Sequence, residues 1–150
     1  MSKPTVYLGT DHAGFELKEN IKAFLKSKGY KVKDLGNWTY EELDDYPDFI
    51  RPVAKKVAAS PKTGVGIIFG GSAQGEAIAA NRVRGARAAV YYGGPLDIVT
   101  LSREHNNANI LSLGARFMTP AHARKVVLLW LRTKFTDEAR HMRRIRKIEG

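Results

Sequence analysis

Apolar and polar positions alternate along this chain in two periods. "TVYLG" (Thr5–Gly9) is a short β-rich run, followed at once by the polar Asp11-His12. From Phe15 to Lys28, Leu17, Ile21, Phe24 and Leu25 recur at helical spacing with lysines between them, and Gly29 ends the pattern. "YKVKDLG" predicts a second strand, the polar "NWTYEELDDYPDF" a loop, and Asp48–Ala59 a helix with Pro52 near its start. "GVGIIFGG" is apolar on both faces, as in a parallel strand covered on both sides. Gln74 to about Val83 reads as helix, "ARAAVYY" as a fourth strand, Leu96–Arg103 as helix and "NILSLG" as a fifth strand. Thr119-Pro120 supplies a capping hydroxyl and an N1 proline for an apolar helix containing Val126, Val127, Leu129 and Trp130.

This order predicts one domain over 1–150: an α/β/α three-layer sandwich, Rossmann-like, on a five-stranded, mostly parallel sheet, with a C-terminal helix. In such sheets ligands gather beyond the carboxyl ends of the strands. That directs attention to Asp11-His12, Gly70–Glu76, Tyr92-Gly93 and Gly114–Arg116.

Composition narrows the chemistry. The chain has 150 residues, 43% hydrophobic and 27% charged, as in an ordinary globular protein. No run approaches the roughly eighteen apolar residues that span a bilayer, and no signal-peptide pattern opens the chain, so a cytoplasmic protein without a membrane partner is expected. Cysteine is absent, which excludes disulfides, thiolate metal sites and a cysteine nucleophile or base. A formal charge of +10 favours anionic partners: nucleic acid, an acidic membrane surface or a small phosphate ester. On the C-terminal segment Arg140, Arg143, Arg144 and Lys147 share one helical face, while Met142, Ile145 and Ile148 form a separate apolar stripe. That face reads as a solvated basic surface, as a nucleic-acid contact, or as an arginine pair (Arg140 and Arg144, one turn apart) gripping a phosphate. No nucleic-acid-binding motif accompanies it.

Gly70-Gly71-Ser72-Ala73-Gln74-Gly75 lacks the Gly-Lys-Ser/Thr of a Walker loop and the spacing of a dinucleotide fingerprint. It reads either as a tight strand-to-helix turn or as an oxyanion nest at a helix N-terminus. Glu76 follows in the first helical turn. It serves the macrodipole as an ordinary acid there, or it works as a base, because a helix N-terminus favours the ionised form. Asp11 and His12 read as caps or as site residues. His105 reads as a loop histidine or a proton-transfer group, and His122 as structural. Tyr46 reads as a pocket wall or as a packed loop residue.

Five motifs occur in order: "GTDHAGFELK", "DYPDF", "GGSAQGEAIAANRVRGARAA", "SREHNNANILSLGAR" and "RHMRRIRKI". Together they resemble the ribose-5-phosphate isomerase type B and galactose-6-phosphate isomerase family across essentially the whole chain. The resemblance implies interconversion of ribose 5-phosphate and ribulose 5-phosphate through a cis-enediol(ate), or the same chemistry on a tetrulose 4-phosphate, allose 6-phosphate or galactose 6-phosphate. It implies no metal and no redox cofactor, and a homodimer or dimer of dimers with active sites at the subunit interface. Asp11 and His12 match the pair serving the sugar ring and phosphate. Gly71, Ser72, Ala73, Gln74 and Gly75 match the loop holding the enediolate oxygens. His105 matches the ring-opening histidine and Asn106 its substrate-binding neighbour, while Arg116, Arg140 and Arg144 match the substrate- and phosphate-contacting arginines. Many members carry a catalytic cysteine where this chain has Gly70. A second branch uses a glutamate just beyond the loop, and Glu76 matches it. Ala73, where that branch often has glycine, and Gln74 depart from the pattern and are expected to alter the pocket.

Overall fold

The computed structural model describes residues 2–150. Five strands, β1 (Thr5–Thr10), β2 (Val32–Asp34), β3 (Gly64–Gly70), β4 (Ala88–Tyr91) and β5 (Ile110–Gly114), form one sheet in the order β2-β1-β3-β5-β4. Every pairing is parallel, so the sheet is wholly rather than mostly parallel. The central β3 is buried at all seven positions, which accounts for its unbroken apolar sequence. Fully burying a side chain such as Ile67 or Phe69 contributes roughly 1.5–3 kcal/mol.

Helices α2 (Pro47–Ala58) and α3 (Gln74–Asn81) cover one face through Ile50, Val53, Val57 and Ala80. Helices α1 (Phe15–Ser27), α4 (Asp97–Glu104) and α5 (Pro120–Arg132) cover the other through Leu17, Ile21, Leu25, Val99, Val126 and Trp130. The punctuation behaves as its chemistry requires. Gly29 takes a φ of +83° after α1, and the next N–H, of Tyr30, reaches back to the Leu25 carbonyl at 3.0 Å. The Thr119 hydroxyl accepts from the His122 N–H at 3.1 Å. Pro52 lies inside α2 and is accommodated in its second turn. Strand β2 is shorter than its alternation suggests: only Val32–Asp34 pair, because this edge strand has a neighbour on one side alone.

Helix α6 (Ala139–Glu149) stands apart from the layers. Its C-terminal end is pinned by Glu149, which accepts from the Gly85 N–H at 3.1 Å and pairs with Arg87 at 2.9 Å. His141 is its one buried residue, and the Met142 and Ile148 side chains lie exposed. No helix among the described residues is long and apolar enough to cross a membrane.

Candidate active site at the carboxyl ends of the strands

Strands β1, β3 and β5 deliver their polar followers to one end of the sheet. Asp11, just past β1, is buried, and its Oδ1 accepts from the N–H groups of Ala13 (3.0 Å) and Gly14 (3.4 Å). Burial pushes its carboxyl above the usual range, partly opposed by the neighbouring His12. His12 is held by Asp44. The Asp44 Oδ1 lies 2.7 Å from the ring Nδ1 and accepts the His12 backbone N–H at 3.1 Å. The hydrogen bond to Asp44 raises the imidazole pKa, with desolvation pulling the other way. Burial would lift the Asp44 carboxyl in turn, but hydrogen bonds from His12 and Asn37 outweigh it and hold that carboxyl below its ordinary value. Asp11, His12 and Asp44 bring ligand-type atoms within 4.8 Å of one another, and the His12–Asp44 hydrogen bonds account for that closeness without an ion.

After β3 the chain turns sharply into α3. Ala73 adopts the left-handed conformation (φ +70°) at the helix start, a region costly for a residue with a Cβ and natural for glycine. It is fully buried, and its carbonyl accepts from the Ser112 hydroxyl at 2.9 Å. Only its backbone is therefore presented to a ligand, whereas Ser72 and Gln74 are exposed. The N–H groups of Ser72 and Ala73 have no acceptor among the described residues, and that of Gly75 lies in the first helical turn, where no intrahelical carbonyl serves it, while the Glu76 N–H faces its own carboxylate. A set of N–H groups so directed can stabilise an oxyanion. Arg116, in the turn Ala115–Phe117 after β5, donates its N–H to the Gly71 carbonyl at 3.1 Å, and its guanidinium sits 3.0 Å from where a Cβ on Gly71 would be. Tyr46 packs its hydroxyl end against Gly75, so it is both a packed loop residue and part of the wall beside Glu76.

Glu76 is buried within this ring, at 4% exposure. The helix end does favour the ionised carboxylate, as the sequence suggests, but burial outweighs it. Burial raises its pKa, the Glu76 N–H and Arg116 oppose that by favouring the charge, the nearby Asp11 adds to it, and the net shift is upward. A carboxylate with a raised pKa is a stronger base at neutral pH than an exposed one, provided it remains deprotonated.

Asp11, His12, Gly71, Ser72, Ala73, Gln74, Gly75, Glu76 and Arg116 thus gather at one end. His105, Asn106, Arg140 and Arg144 do not join them within this chain. His105 closes α4 and precedes β5, placing it at the amino edge of the sheet, while Arg116 leaves the carboxyl edge. The five residues of β5 lie between them, about 16 Å at ~3.3 Å per residue. At that amino edge the His105 ring stacks on His141 (centroids 4.2 Å apart, planes at 18°). Arg140 and Arg144 occupy α6 beside it, with Arg140 bonded to Glu138 at 2.9 Å. Asp44, Asn37 and His141 escaped the sequence reading. Asp44 sat visibly beside "DYPDF", but nothing in the spacing ties it to a histidine 32 positions earlier.

The ribose/galactose isomerase family model matches residues 6–148 of this chain. Ribose-5-phosphate isomerase B of Mycobacterium tuberculosis is 43% identical over 145 residues, covering 97% of this chain and 88% of that protein. The crystal structure of Mycoplasma genitalium ribose-5-phosphate isomerase B with bound ribulose-5-phosphate superposes with a TM-score of 0.91 at 39% identity, over 97% of this chain and 93% of that one. Ribose 5-phosphate isomerase from Thermotoga maritima superposes with a TM-score of 0.89 at 42% identity, over 97% of both chains.

Proposed function

Because the chain belongs to the ribose/galactose isomerase family, we propose that it interconverts ribose 5-phosphate and ribulose 5-phosphate through a cis-enediol(ate), with Glu76 as the proton-transfer base. The observation that carries this reading is the buried Glu76 carboxylate beside unpartnered backbone N–H groups at the ends of parallel strands. Glu76 removes the proton from C2 of the open aldose, and the electron pair of that C–H bond passes through C1 onto its carbonyl oxygen. The N–H groups of the 71–75 loop, with the Ser72 hydroxyl, receive the negative charge, and losing one such donor typically costs roughly 3 kcal/mol. Glu76 then returns the proton to C1 while the C2 hydroxyl passes its proton to the C1 oxyanion, leaving a ketone at C2 and a hydroxyl on C1. Sugar phosphates are mostly cyclic, so ring opening needs an acid–base group, and His105 fills that role. His12, Arg140 and Arg144 hold the phosphate, which lends binding energy remote from the reacting carbons.

That assignment needs both ends of the sheet in one site. Two copies related by a two-fold axis achieve it: the Glu76 end of each chain meets the His105 and α6 end of the other. The exposed Met142 and Ile148 on α6, and the exposed Ile78, Tyr92 and Phe117 near the Glu76 end, are the surfaces such a homodimer covers. A cytoplasmic location accompanies this reading. The test is turnover of ribose 5-phosphate measured beside four-carbon and six-carbon sugar phosphates, with the products identified. Preference for ribose 5-phosphate supports the proposal, and turnover confined to another sugar phosphate overturns its substrate.

A further inference from the structure

We propose that Asp44 is a positioning residue for the substrate phosphate: it grips His12 by both ring and backbone, leaving Nε2 as the one imidazole nitrogen free to bind the anion. The inference rests on the isomerase reading above. Asp44 itself makes no contact with substrate in this account, since its side chain is only 3% exposed against 28% for His12.

The grip is anchored deep in the fold. The Asp44 Oδ1 takes the His12 Nδ1 (2.7 Å) and backbone N–H (3.1 Å), and its Oδ2 accepts from the Asn37 side-chain amide at 3.1 Å. Asn37, also buried, receives at its carbonyl the Nζ of Lys18 at 2.6 Å. Lys18 is fully buried on α1 and bonds both oxygens of Asp34 at 2.8 Å. A line of polar groups therefore runs from the interior of α1 to a single partly exposed imidazole. Burying charge is expensive, and a loop that only needed sealing is served as well by apolar side chains. The polar relay does what an apolar seal does not: it fixes the tautomer and orientation of His12 with Nδ1–H toward Asp44. The groups around His12 are Asp11 from the same turn, Asp44 and the edge-on Tyr40 ring from the loop before α2, and Arg116 from the turn after β5. Asp11 and Asp44 favour the imidazolium and Arg116 opposes it. A doubly protonated ring then offers Nε2–H to a phosphate oxygen as a charge-assisted donor.

The experiment compares Asp44→Asn with the native enzyme. Asparagine keeps an oxygen for His12 and removes the charge. We expect KM for ribose 5-phosphate to rise roughly tenfold, with the inhibition constant of inorganic phosphate rising by a similar factor and kcat changing much less. The alkaline limb of kcat/KM, where His12 loses its proton, should move to lower pH, and Asp44→Glu should restore part of the loss. In a His12→Gln background, Asp44→Asn should add nothing. Unmoved KM, phosphate inhibition and alkaline limb, or fully additive effects in the double variant, overturn the proposal. Nitrogen-15 NMR of the native protein tests it independently of turnover and of the variant's folding. Nδ1 should be protonated, and Nε2 should shift on titration with inorganic phosphate. An Nε2 indifferent to phosphate sinks the Asp44 role even if the isomerase is active. An enzyme inert toward sugar phosphates whose Nε2 still responds sinks the substrate reading instead.

Discussion

Glu76 fills the volume that a side chain on residue 70 would need. A Cβ built on Gly70 falls far inside van der Waals contact of the Glu76 carboxyl carbon and both its oxygens. A side chain at position 70 and the buried glutamate at 76 are therefore alternative occupants of one space.

Gly70→Cys alone should not add a second base. The thiol displaces the Glu76 carboxylate, and turnover should fall by about a hundredfold, the lower range of a general base's contribution. Adding Glu76→Ala to Gly70→Cys removes the collision and frees the introduced thiol to act as base in place of the carboxylate, so turnover should rise above that of the Gly70→Cys single variant. Steady-state kcat of the native enzyme and the two variants decides it, and near-native activity in Gly70→Cys contradicts the shared volume.

Burial makes Glu76 a stability cost at neutral pH. Its folded-state pKa is raised, so its contribution is favourable at low pH and is lost as pH rises through the folded-state value. Glu76→Gln removes the buried charge, and thermal melting should therefore be higher than native at pH 7, with the gap closing as pH falls into the carboxylate range. A variant that melts lower at pH 7 shows that the carboxylate is paid back by contacts the account omits. The same shift places the acid limb of kcat/KM above the pH at which an exposed glutamate titrates.

The separation of Glu76 and His105 across the sheet gives a complementation test. Glu76→Gln and His105→Asn should each be inactive as homodimers. Mixed by co-expression, half of the dimers carry one variant of each kind, each such dimer has one intact site of two, and activity should recover to about a quarter of native. No recovery would mean that both residues serve a site within one chain, and an active His105→Asn homodimer would mean that His105 serves none.

Much of this arrangement was legible in the chain, because local patterns govern it. The two-faced apolar run of β3, the 3.6-residue spacing of α1 and the Thr119-Pro120 start of α5 depend on neighbours close in sequence. So does the delivery of Asp11, Glu76 and Arg116 to one edge, since parallel strands place their followers together. The hold of Asp44 on His12 and the stacking of His141 on His105 join residues 32 and 36 positions apart, for which the sequence carries no periodic signal. The upward shift of Glu76 is not legible in the sequence for a related reason. Its position at a helix start is local information, but its burial depends on Asp11, Tyr46 and Arg116 converging from three other segments.

The most direct test follows ribose 5-phosphate isomerisation in deuterated water with the native enzyme and with Glu76→Gln. Deuterium should appear at C1 of the ribulose 5-phosphate formed by the native enzyme. In Glu76→Gln, turnover and exchange should both fall by at least about a hundredfold while the substrate still binds. Near-native turnover by Glu76→Gln would contradict the assignment of Glu76 as the base.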